Sequence, residues 1–92
     1  MELKDLLKEI ERNFTENDKR MGPLFLLSVL SEEVGELNRA IRYYENIEEE
    51  ISDVIFITLS IANLYGINPE NKIKEKYLKD PNKIKNKWKD IY

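Results

Sequence analysis

The sequence predicts an all-α fold, a helical bundle whose four-helix core is completed by dimerisation. Three observations lead there. In each long stretch between glycines and prolines, apolar residues recur at three- and four-residue intervals, the period of one helix face. No segment alternates apolar and polar residues as a hairpin strand does; Val54 to Ile57 could pass for a buried strand but sits inside a longer helical pattern. Two consecutive segments are apolar over more of their circumference than a 92-residue chain can cover, which asks for a second copy. A chain this short is expected to be one domain, 1–92, with no repeat or linker to divide it.

The elements follow from punctuation. Leu3, Leu6, Leu7 and Ile10 mark a first amphipathic helix over residues 2–13, and residues 14–22 (FTENDKRMG) read as a polar loop. Pro23 suits the first turn of a second helix over 23–44. A break near Glu45–Asn46 precedes a third helix over 47–65, stopped by Gly66. Asn68–Pro69 opens a fourth over 69–79, and Pro81 opens a short fifth that ends near Asp90.

Composition narrows the chemistry. A net charge of −3 gives no reason to expect a nucleic-acid partner. Without cysteine there are no disulfides or thiolate metal sites, and without histidine the commonest general base and zinc ligand are gone. Any metal must be held by oxygen, which favours Mg²⁺ or Mn²⁺. The N-terminal MELKDLLKEIERN is charged and amphipathic, unlike a signal peptide, and no apolar run approaches a membrane span. A cytoplasmic protein with no membrane partner is expected. Charge is uneven along the chain, with eight lysines between Lys72 and Lys89.

The acids of SEEVGELNRAIRYYENIEEEISD (residues 31–53) carry the main anomaly. Projected at about 100° per residue, Leu26, Leu30, Leu37, Ile41 and Tyr44 define the apolar arc of the second helix, flanked by Val29, Ala40 and Val34. Glu33 falls inside that arc and Glu36 at its edge, while Glu32 projects outward. In the third helix Ile47, Ile51, Val54, Ile57, Ile61, Leu64 and Tyr65 form the apolar face; Glu50 falls within it, Asp53 at its margin and Glu49 on the polar side. Either pair alone is what a solvated helix commonly shows. Two pairs on consecutive helices, both turned toward packing faces with no basic neighbour, would repel one another severely unless a divalent cation lay between them.

The stretch Glu32-Glu33-Val34-Gly35-Glu36-Leu37, followed by Glu49-Glu50-Ile51-Ser52-Asp53-Val54-Ile55, resembles the E-x-x-E…E-x-x-D signature of MazG-type nucleotide pyrophosphohydrolases. Ser60 to Ile67 and Lys74-Glu75-Lys76-Tyr77 are similar to the segments that end the third helix and open the next in small members, so the likeness covers roughly residues 20–80. It implies Glu33, Glu36, Glu50 and Asp53 as Mg²⁺ ligands, with Mn²⁺ as a substitute. Glu32 and Glu49 would stand behind them, or position and deprotonate the attacking water. The implied substrate is a nucleoside triphosphate, NTP or dNTP, cut between the α and β phosphates to the monophosphate and pyrophosphate, with removal of non-canonical nucleotides as one role. It also implies dimers or pairs of dimers. Lys74 and Lys76 are the candidates for contacting the triphosphate, supported by Lys72 and Lys79, and Tyr77 and Trp88 are the candidates for stacking on a base. Asn63, Asn71, Lys19 and Arg20 are weaker ones. The final segment, with KIKNKWKDIY, has no counterpart in the likeness. Two other readings compete: a non-enzymatic helical module that assembles through its apolar faces, and an enzyme of the phosphoribosyl-ATP pyrophosphatase type.

Overall fold

A computed structural model describes residues 1–90 of the chain. Six α-helices and two π-helical stretches account for nearly all of it, and no strand occurs among the described residues. Helix α1 (Leu3–Ile10) passes through a π-helical turn (Glu11–Thr15) into α2 (Glu16–Met21) without a break. Helices α3 (Pro23–Tyr43) and α4 (Ile47–Leu64) are the long pair; α5 (Glu70–Ile73), a second π-helical stretch (Lys74–Leu78) and α6 (Pro81–Lys87) complete the chain. Ile91 and Tyr92, the last two residues of KIKNKWKDIY, lie outside the described residues.

The helix boundaries agree with the sequence reading for α3 and α4 to within a residue, because proline and glycine mark them. Pro23 occupies the first turn of α3, where its missing N–H goes unneeded, and Gly22 before it takes φ 89° and ψ 161°, a conformation open to glycine alone. At the other end Tyr44 (φ 57°) and Asn46 (φ 53°) adopt left-handed conformations, and that tight reversal sends α4 back antiparallel along α3. Asp80 caps α6, accepting a hydrogen bond from the Lys83 backbone N–H at 3.3 Å, with Pro81 following it. Helix α6 ends at Lys87, short of Asp90.

The expected loop at residues 14–22 is a correction. The chain has neither glycine nor proline between Leu3 and Met21, so nothing stops the helix, and its polar residues are the outer face of a continuing one. The inner face is held down. Phe14 meets Phe56 edge to face with ring centres 5.1 Å apart, and Thr15 is buried.

The core is small. Leu7 and Ile10 from α1 pack on Leu59 of α4, with Leu3, Phe56 and Ala62 against them. Asn63 donates a hydrogen bond to the Leu7 carbonyl at 2.9 Å, pinning α1 to α4; that gives this residue a structural use. Of the arc projected on α3, Leu26 and Ala40 are buried, whereas Val34 (50%), Ile41 (58%) and Tyr44 (88%) are exposed. On α4, Ile51 and Tyr65 are exposed as well. The radius of gyration is 15.3 Å, against about 12 Å for a compact 92-residue globule. The accessible surface is 7590 Å², against about 5,600 Å² for a monomer of this mass. The chain therefore leaves about 2,000 Å² more in water than a self-contained domain would.

Candidate functional site

Antiparallel packing of α3 and α4 brings the acidic pairs level with each other. Glu33 from the middle of α3 and Glu50 and Asp53 from the first two turns of α4 each offer a carboxylate oxygen, and those oxygens lie within 4.8 Å of one another. All three residues are partly buried. One oxygen of Glu50 is shut off from solvent and has no hydrogen-bond partner. An acceptor left in that state is costly unless a proton or a cation meets it.

The electrostatics point the same way. The Glu33 carboxyl is raised above its ordinary range first by desolvation, then by the charges of Asp53 and Glu36, by a hydrogen bond shared with Asp53, and by Glu32. Glu50 is raised by desolvation and then by Asp53, Glu33, Glu36 and Glu49. No basic side chain figures among the groups acting on either. Desolvation and mutual repulsion of this kind are what a divalent cation between the carboxylates would relieve.

Glu36 stands slightly apart. It is exposed, and with Glu50 it lines a cleft of about 220 Å³ at the α3–α4 turn, together with Arg39, Ala40, Glu45 and Asn46. Glu32 and Glu49 are exposed at the rim, one turn or less from the cluster. Arg39, Glu45 and Asn46 escaped the sequence reading, since only the turn geometry carries them to the cleft.

The residues nominated for the substrate are not gathered at the acids. Lys74 pairs with Glu70 at 3.2 Å and Lys72 with Glu75 at 3.4 Å, both on the surface. Lys76 lies over the Tyr77 ring at 5.3 Å, and Tyr77 and Trp88 sit with ring centres 6.1 Å apart. Asn71, Lys19 and Arg20 are exposed. A groove of about 890 Å³ between the second π-helical stretch and α6 is lined by Lys76, Lys79, Lys83 and Lys87 around Ile84, with Glu75 and Asp80 at its side. The spacing of Lys79, Lys83 and Lys87 at successive fourth positions was the available signal for that face.

Carboxylates converging from facing antiparallel helices are the arrangement from which all-α proteins build carboxylate metal sites, and Glu33, Glu50 and Asp53 could hold an ion in that way. The comparisons with known proteins make the class specific. The MazG nucleotide pyrophosphohydrolase domain matches residues 21–88 of the chain. A protein of Bacillus subtilis (strain 168), YpjD, itself uncharacterised, is 30% identical over 99 aligned residues that span 94% of this chain and 89% of that protein. The chain belongs to the MazG nucleotide pyrophosphohydrolase family. Membership points to a hydrolase acting on a nucleotide, in a family generally dependent on a divalent metal. Among the described residues no helix is long and apolar enough to cross a membrane.

Proposed function

We propose that the chain is a Mg²⁺-dependent nucleoside triphosphate pyrophosphohydrolase, a single domain that works as a homodimer or a pair of dimers and yields a nucleoside monophosphate and pyrophosphate. The observation that carries the reading is the convergence of Glu33, Glu50 and Asp53, with a buried Glu50 oxygen that has no partner. The donor set fits a hard cation. Ligand oxygens about 2.1 Å from one Mg²⁺ lie up to about 4.2 Å apart, so donors spanning 4.8 Å need shifts below about 1 Å. Mn²⁺ fits the same oxygens.

Glu33, Glu50 and Asp53 would hold the ion, with Glu36 closing on it from the cleft side. When bound, the ion supplies neutralisation of phosphate charge and Lewis acidity toward the α–β bridge. The protein's own groups do the rest. With no histidine in the chain, the proton of the attacking water would fall to a carboxylate, and Glu32 and Glu49, exposed next to the cluster residues in sequence, are the candidates to take it. Lysines of the C-terminal segment offset the triphosphate charge. Lys76 is better placed than Lys74, whose ammonium already serves Glu70. Tyr77 and Trp88 offer ring faces for a base. The surplus of about 2,000 Å² per chain would make about 4,000 Å² for a pair, within the range that obligate homodimer interfaces bury, which supports the dimer. Removal of non-canonical nucleotides in the cytoplasm is the role this chemistry suits.

The test is release of pyrophosphate from a panel of NTPs and dNTPs with and without Mg²⁺, together with the melting temperature in each condition. Turnover of at least one nucleotide and a Mg²⁺-dependent rise in melting temperature are expected. If neither occurs, the enzyme reading fails.

A further inference from the structure

Among the described residues, Arg39 is the one basic side chain lining the cleft at the α3–α4 turn, where it stands with Glu36, Glu45 and Glu50. Its surroundings are strongly acidic, for residues 31–53 carry eight acids and two arginines. The other arginine, Arg42, lies over the Tyr43 ring at 5.8 Å. Arg39 follows Glu36 by three residues, a spacing at which helical ion pairs form. Even so, its side chain makes no ion pair or hydrogen bond among the described residues. Nor does it act on Glu33 or Glu50, whose carboxyls are raised by desolvation and then by other acids. The chain thus carries an uncommitted guanidinium beside its acidic cluster.

Placement and size say what that guanidinium suits. Glu33, Glu36 and Arg39 succeed one another at three-residue steps, so about 9 Å of the α3 axis separates Glu33 from Arg39. The cluster lies at one end of that span and Arg39 at the other. Apart from Ala40 the walls of the cleft are charged or polar, which leaves no apolar surface for a base. Its volume of about 220 Å³ is also below the roughly 300–1,000 Å³ of pockets that enclose drug-sized ligands. A short polyanion fits where a nucleoside does not. We propose that Arg39 binds the pyrophosphate half of the substrate, the β- and γ-phosphates, in this cleft. The fixed fork of N–H groups on an arginine meets two phosphate oxygens at once, which the ammonium of a lysine cannot do. This rests on the proposed function, and adds which half of the triphosphate the α3–α4 turn receives and the residue that receives it.

Product binding tests it. Pyrophosphate with Mg²⁺, and separately the monophosphate of the best-hydrolysed nucleotide, are titrated by calorimetry into wild type, Arg39→Ala and Arg39→Lys, beside NTP hydrolysis. Arg39 is exposed on α3, so both variants should fold and keep the Mg²⁺-dependent rise in melting temperature. Arg39→Ala should bind pyrophosphate at least about tenfold more weakly, with monophosphate affinity within about twofold of wild type. Arg39→Lys should stay closer to the alanine variant than to wild type. Unchanged pyrophosphate affinity in Arg39→Ala, with wild type hydrolysing NTP, overturns the assignment of Arg39 and leaves the site reading intact. Equal losses for both products, or loss of the Mg²⁺-dependent rise, overturn it as well, because Arg39 would then be holding the acids in place. A wild-type chain that neither hydrolyses NTP nor binds pyrophosphate with Mg²⁺ overturns the site reading and this proposal with it.

Discussion

The bundle of α1–α4 and the segment from α5 to α6 share one chain and little else. The bundle has a core, however small, and spends part of its packing surface on acids that repel each other. The segment has no core to speak of; Ile73 and Leu78 are about half exposed, and its order comes from local helix contacts and one pair of rings. On the proposed function, the contrast would divide the labour of binding a metal and a polyanion between the two regions. A rigid helix pair can hold like charges together because packing elsewhere opposes their repulsion. A weakly packed cationic segment can move to meet a ligand, because little is lost when it does.

The largest effect should come from breaking the acidic side. Glu50→Gln is expected to lower pyrophosphate release by at least about a hundredfold, since even residues behind metal ligands are worth ten- to a hundredfold. It should also abolish the Mg²⁺-dependent rise in melting temperature. The metal-free variant should be at least as stable as wild type, because a charge raised by burial and by four acidic neighbours has been removed. A Mg²⁺-responsive melting curve in this variant would take Glu50 out of the ligand set.

A second pair of changes compares packing in the two regions. Leu59→Ala removes a side chain that is 5% exposed between Leu7 and Ile10, and should cost about 2–4 kcal/mol by denaturant titration. Leu78→Ala in the segment, where the side chain is 62% exposed, should cost below about 0.5 kcal/mol. Equal losses would mean that the segment is built into the core after all.

These elements also show what was legible in the sequence. Glycine, proline and the apolar period placed α3 and α4, and two consecutive pairs of acids on those helices were enough to locate the cluster. What remained hidden depended on tertiary contact. Phe14 and Thr15 read as loop because the residues around them are polar, yet no glycine or proline interrupts the helix there, and Phe14 is held against Phe56 of α4 while Thr15 is buried. The projection sets Glu33 inside the apolar arc and Glu36 only at its edge, but it does not say that Glu36 lines an open cleft while Glu33 joins the cluster. Lys74 and Lys76 could not be ranked until Glu70 was seen to hold Lys74.

The cationic side gives a smaller effect. Lys83→Ala should raise KM for the nucleotide by up to about tenfold with kcat little changed, one ammonium–phosphate contact being worth about 1.4 kcal/mol at most. Lys74→Ala should change KM less than twofold or so, because its charge is already spent on a surface ion pair. The reverse order would move the phosphate contact out of the groove and onto α5.

The smallest effect isolates a partly buried acid outside the cluster. One Asp18 oxygen on α2 is shielded from solvent without a hydrogen-bond partner, and burial alone raises its carboxyl above the ordinary value of 3.8. The folded chain therefore holds that proton more tightly than the unfolded chain does. With more protons bound when folded, stability falls as pH rises through the interval just above 3.8, and the loss is complete at neutral pH. Asp18→Asn removes the titration and nearly keeps the shape. It should raise the melting temperature at pH 7 by a few degrees at most, with the gain shrinking as the pH is lowered toward that interval. The acids of the cluster are untouched, so the Mg²⁺-dependent rise should remain in full. A gain that does not depend on pH would mean that the Asp18 charge is not what makes that site unfavourable.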